Sequence, residues 1–161
     1  GYAWYVPKEG GWLNVGLGYE TELALTGESR TYYLDAYRYT ATHGRGVDKD
    51  SIQTSKTFDN NKAWAKTIKQ IISQRNAKIP DIGTLMKMET ETATSEMTGY
   101  LYGFMTFLTK DEESSRNFMA FLKEDKASEN LLPTLIKAYG FPSADEMKKD
   151  FIEYMKSKEF K

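Results

Sequence analysis

Met97-Thr98-Gly99-Tyr100-Leu101-Tyr102-Gly103-Phe104-Met105-Thr106-Phe107-Leu108 is the stretch on which the fold turns. Met97, Leu101, Phe104, Met105 and Leu108 stand at offsets 0, 4, 7, 8 and 11. That is the period of a helix, not the alternation of a strand. The segment is apolar on several sides, so the spacing predicts a helix packed among others. Gly99 and Gly103 lie within it. Each costs a helix about 1 kcal/mol relative to alanine, and four residues apart they predict the close approach of a second helix.

Outward from this segment the same period recurs. Before it, Trp64, Ile68, Ile71 and Ile72 form a stripe within residues 60–74, with Lys62, Lys66, Lys69 and Lys78 left for solvent. Asp59 or Asn60 suits the cap of that helix. Ile79-Pro80-Asp81 interrupts it, since proline disfavours helical geometry in the residue before it, and a short helical turn through Leu85 and Met88 follows. The polar run 89–96 reads as a connector. After the central segment, Lys110-Asp111-Glu112-Glu113 places acids at a helix start, with Phe118, Phe121 and Leu122 on its buried face. Leu131, Leu132, Leu135 and Ile136 mark another helix, stopped by Gly140 and Pro142. Ser143-Ala144-Asp145-Glu146 is a capping box that opens a last stripe of Met147, Phe151, Tyr154 and Met155.

The expected fold is mainly α: one domain over 1–161, of about six to seven packed helices. It divides into an aromatic-rich N-terminal segment, 1–58, with one helix and a loop, and a helical bundle, 59–161. In the first part Trp12, Val15, Tyr19 and Leu23 share a helical face that Gly27 can end. Tyr32 to Tyr39 fits a helix and a strand equally, and residues 43–57 read as a surface loop. Seven of the 11 tyrosines lie in the first 39 residues, beside Trp4 and Trp12. Such residues suit either a peptide or sugar platform or an aromatic core, and the core is the expectation.

Composition narrows the function. With 22 basic against 23 acidic residues and a net charge of −1, the chain lacks the basic excess of a duplex-DNA binder, so no nucleic-acid partner is expected. Its longest apolar runs are a few residues, and no membrane span is expected. No cysteine is present, which removes disulfides, thiolate metal sites and cysteine nucleophiles. His43, the single histidine, reads as plain loop surface and leaves neither H-E-x-x-H nor a convincing Ser-His-Asp set. Asp48 to Gln53 begins like an EF-hand loop, but Ile52 takes a ligand position, Gln53 the required glycine, and Asp59 the place of the bidentate glutamate. Gly16-Leu17-Gly18 lacks the third glycine and preceding strand of a phosphate loop. The pairs Glu20/Glu22 and Glu89/Glu91 read as solvated charge rather than as glycosidase carboxylates.

Trp12-Leu13-Asn14-Val15-Gly16-Leu17-Gly18 resembles the peptidase-MA-like (gluzincin) zinc metallopeptidases. There the pattern W-L-N-E-G-L-A opens the helix that bears the third zinc ligand, often after a proline such as Pro7. The helices from Tyr100 to Tyr154 are similar to the helical tail of bacterial members. The resemblance implies an upstream H-E-x-x-H helix, which the 14 residues before Val15 do not contain. It also implies a glutamate where Val15 stands, a degenerate ligand position, since an alkyl group has no lone pair for Zn²⁺. Glu22 shares that helix face but lies about 10 Å along the axis, and Glu20 points elsewhere.

The leading expectation is therefore a non-catalytic, metallopeptidase-like helical domain without a catalytic residue, metal or cofactor of its own. Its role is binding or scaffolding toward a peptide or protein, in a cleft lined by Trp12, Asn14, Tyr19 and Glu22. Because the chain opens on Gly1, the alternative is a fragment of an active zinc metallopeptidase whose H-E-x-x-H lies upstream, with zinc held by ligands from outside these residues. A third reading is a structural helical module without enzyme ancestry, recognisable by the lack of a Trp12-to-Leu25 helix packed on the C-terminal helices. The resemblance to bacterial members tilts localisation toward export.

Overall fold

A computed structural model describes residues 11–27, 64–88, 95–124 and 131–161. They form helices α1 (Gly11–Thr26), α2 (Trp64–Ile72), α3 (Ile82–Met86), α4 (Ser95–Leu108), α5 (Glu112–Lys123), α6 (Leu131–Ala138) and α7 (Ala144–Lys156), with no strand among the described residues. The mainly α expectation is met. Pro7, Tyr32 to Tyr39, the loop with His43, the Asp59 or Asn60 cap and residues 89–94 of the connector lie outside the described residues, while Ser95 and Glu96, read as connector, open α4. No described helix is long and apolar enough to cross a membrane.

Helix α4 is the hub. Tyr100, Leu101, Tyr102, Phe104, Met105, Phe107 and Leu108 are all buried, so the helix presents apolar surface in every direction. Only neighbours on all sides satisfy such a helix. Helices α1, α2, α3, α5 and α7 pack around it. Ring contacts join it outward: Phe104 lies 5.9 Å from Trp12 and 5.3 Å from Phe151, and Phe107 lies 5.8 Å from Phe151. A Cβ on Gly103 would sit 3.0 Å from Met155 Sδ, so this glycine marks the close approach of α7 that the sequence predicts.

A second close approach falls at Gly16 on α1. A Cβ there would run into Met105 Cγ and lie 3.3 Å from the Leu101 carbonyl oxygen. The α1 backbone lies against the Leu101 carbonyl, and the Met105 side chain fills the space that a Cβ would take. Trp12, Leu13, Gly16 and Tyr19 form the buried face, while Val15 and Leu23 are half-buried. The contact face is thus rotated from the expected Trp12–Val15–Tyr19–Leu23 line toward Gly16. Gly27 ends α1 in the left-handed region at φ 72°, its amide donating to Leu23 O at 2.9 Å.

Local signals set the remaining ends. Asp81 caps α3 by accepting from the Thr84 amide at 2.7 Å and the Thr84 hydroxyl at 2.9 Å. Asp111 accepts from the Ser114 amide at 2.7 Å, and Ser143 from the Glu146 amide at 3.2 Å. Beyond α6, the Gly140 amide donates to Lys137 O and the Phe141 amide to Ile136 O, with Gly140 at φ 69°. The Tyr139 hydroxyl, 2.6 Å from Leu108 O, ties α6 to the end of α4, and burial pushes its phenol well above the ordinary range.

One expectation about charge is corrected. Lys69 does not simply face solvent: its ammonium donates to Phe160 O at 2.7 Å and lies 5.7 Å from the Phe160 ring centroid. Phe160 is buried against Tyr102 and Tyr154, so the segment after α7 folds back onto α2 and α4.

The two glycines of α1 make the packing testable. Gly16→Ala is expected to destabilise the fold by about 1–3 kcal/mol, because the added methyl meets α4. Gly18→Ala, with nothing within 4 Å of the new Cβ, is expected to stabilise it by about 0.5–1 kcal/mol through helix propensity. Urea unfolding of both variants checks this, and equal effects would refute the close approach.

Candidate functional site

Three helices leave a depression of about 340 Å³ where α1, α2 and α4 meet the last residue, Lys161. Glu20, Leu23, Ala24 and Gly27 line it from α1 and the turn after it. Trp64 and Ala65 come from α2, and Tyr102 and Thr106 from α4. The Gly16 contact upstream sets this geometry. It holds α1 close to α4 for its length, so that Glu20, one turn on, arrives beside the end of α4. There the Thr109 hydroxyl lies 3.5 Å from Glu20 Oε1, across 89 residues of sequence.

Glu20 is the chemically unusual group. The ion pairs between described residues are Arg116–Glu112 and Lys149–Glu146, both on exposed helix faces, and Glu20 takes part in neither. Burial raises its pKa above the ordinary 4.5, and the Thr109 contact offsets this only in part. Its charge reaches its neighbours. Burial first, then the Tyr154 and Glu20 charges, push Tyr102 up to about 12. Tyr102 therefore stays protonated at neutral pH and donates to Lys161 O at 3.0 Å. Tyr154 is also raised, chiefly by burial, despite its bond to Thr106.

Beneath the polar groups lies an aromatic ladder. Tyr19 and Trp64 are 4.7 Å apart between ring centroids, and Trp64 meets Tyr102 edge-on at 5.6 Å. Fixed rings of this kind give the depression a stiff base. Among the described residues the depression thus brings together one carboxylate, the hydroxyls of Thr106 and Tyr102, and an apolar, partly aromatic lining.

The residues singled out from the sequence take different places. Tyr19 is buried behind the depression, its ring tilted against that of Trp64. Trp12 is fully buried among Phe104 and Phe121, so it belongs to the core and lines no open cleft. Its indole N–H has no hydrogen-bond partner among the described residues. Glu22 is half-buried on α1 but does not line the depression. Asn14 lies on α1, its side chain outside the description. Val15 is half-buried against the core and adds no donor atom where the resemblance implies a zinc-ligand glutamate, so the residue present does not fit that metal. Among the described residues no three His, Cys, Asp or Glu side chains converge.

Glu20, Tyr102, Thr106 and Thr109 escaped the sequence reading, and Glu20 is a correction: it is not simply solvated charge. The available signal was its spacing, four residues after Gly16 and eight after Trp12, which places it beside the buried stripe. Compared with known proteins, the chain matches no family model, no curated protein and no solved structure.

The raised pKa has a signed consequence. Protonated Glu20 favours the folded state below its ordinary pKa, and that contribution is lost as pH rises through the folded-state value. Glu20→Gln keeps the neutral form at every pH. The melting temperature of the variant relative to the parent is therefore expected to rise between about pH 4 and about pH 7. A constant or falling difference in paired melts would contradict the desolvated carboxylate.

Proposed function

We propose that this chain is a non-catalytic, metallopeptidase-like helical domain that binds a peptide segment of a partner at the depression between α1, α2 and α4. The observation that carries the reading is Glu20, a partly desolvated carboxylate without an ionic partner among the described residues, on the wall of a depression with an aromatic base. A protein gains nothing in stability from such a group, and sites that trade stability for recognition have this form. The volume, about 340 Å³, is at the small end for binding pockets and matches a side chain or two rather than a large cofactor.

The peptidase-like ancestry has its own support. Helix α1 begins beside Trp12 and packs on the helices that follow, which is the arrangement the resemblance implies and the purely structural reading lacks. With Val15 at the ligand position, α1 contributes no third zinc ligand, so the inherited scaffold serves binding.

A random-sequence peptide array, followed by amide chemical-shift mapping of captured peptides on the labelled chain, tests the proposal. The expected result is capture of a subset of sequences, with shifts centred on Ala24, Ala65 and Thr106, and no peptide hydrolysis when zinc is added. Absence of capture would overturn the binding role. Stoichiometric zinc with hydrolysis would overturn the non-catalytic reading in favour of a metallopeptidase piece.

A further inference from the structure

Resting on that binding role, the geometry points to the class of group the depression takes: we propose that it receives the cationic end of a lysine or arginine side chain. The ammonium or guanidinium pairs with Glu20, and the alkyl stem lies along Leu23, Ala24 and Ala65, above the buried Trp64.

Two features of the site argue for a cation. The first is charge. A carboxylate drawn partly out of water recovers its lost solvation from a positive group and from little else. The described lysines do not supply it: Lys69 is committed to Phe160 O, and Lys161, although it borders the depression, forms no ion pair with Glu20. The second is the division of the lining. Leu23, Ala24, Ala65 and Trp64 supply apolar surface, whereas Glu20, Thr106 and Tyr102 supply oxygen atoms. A chain of methylenes ending in a charge matches both halves at once. An acidic side chain meets repulsion at Glu20, and a neutral one leaves the carboxylate desolvated and unpaired.

The test uses three blocked tripeptides that differ only in the middle residue: lysine, norleucine and glutamate. Each is titrated into the intact chain and followed by chemical shifts. The lysine peptide is expected to shift the amides of Ala24, Ala65 and Thr106, with affinity at least about tenfold above that of norleucine, and glutamate to cause no shift. Glu20→Gln is expected to erase the preference for lysine over norleucine, while Glu113→Gln, at an exposed position of α5, retains it. Equal affinity for lysine and norleucine, or a preference that survives Glu20→Gln, overturns the cation assignment. If peptide capture on the array persists in that case, the binding role stands without it. If all three tripeptides fail to shift these amides while array peptides do, the cation assignment likewise falls and the broader role remains.

Discussion

Backbone-to-backbone contact at Gly16 is the constraint from which the arrangement follows. With no Cβ at that position, α1 lies against the Leu101 carbonyl and the Met105 side chain. Any larger residue holds the helices apart by the thickness of a side chain. Because helices are stiff, separation at one turn carries to the next. Glu20 would then leave Thr109, Tyr19 would lose its ring contact with Trp64, and the wall of the depression would open. Site and core therefore depend on one another. The same contact that completes the burial of α4 also draws a carboxylate out of water.

The core around α4 tolerates this because it is large and rich in aromatic side chains. Trp12, Trp64, Phe104, Phe107, Phe151 and Phe160 are all buried to within 2% of full exclusion. Burying a side chain of this size is worth roughly 1.5–3 kcal/mol by area, before the conformational entropy lost on ordering. Against that background a buried indole N–H without a partner, as at Trp12, costs about 1–3 kcal/mol and is sustainable. The return of Phe160 onto α2 and α4, held by Lys69 and Tyr102, closes the side of the bundle that adjoins the depression.

Much of this fold was legible in the amino-acid order, and the limits were physical. Periodicity identified α2 and α4 through α7, because an amphipathic stripe is a local pattern that packing only has to accept. The caps at Ser143 and Gly140, and the acidic start of α5, were legible for the same reason: such end signals act on residues a few positions away. Gly103 was recognised as a packing glycine because it sits in an apolar helix. Gly16 was not, because its neighbours Leu17 and Gly18 invite comparison with loop and peptidase motifs, and its partner lies near residue 101. Trp12 was read as a cleft residue for its chemistry, yet its contacts to Phe104 and Phe121 make it core. Glu20 looked like solvated charge, since nothing nearby in sequence announces that Thr109 and Tyr102 will close over it. Contacts made across such separations leave no local trace.

The proposed binding role rests on a carboxylate that the fold draws partly out of water, and that placement depends on α1 seated on α4. The most direct measurement is therefore a nuclear Overhauser spectrum of the chain labelled at glycine and methionine. A cross-peak between the Gly16 α-protons and the Met105 side-chain protons is the predicted result. Its absence, with resolved signals from both residues in a folded chain, would contradict the contact and with it the site built on it.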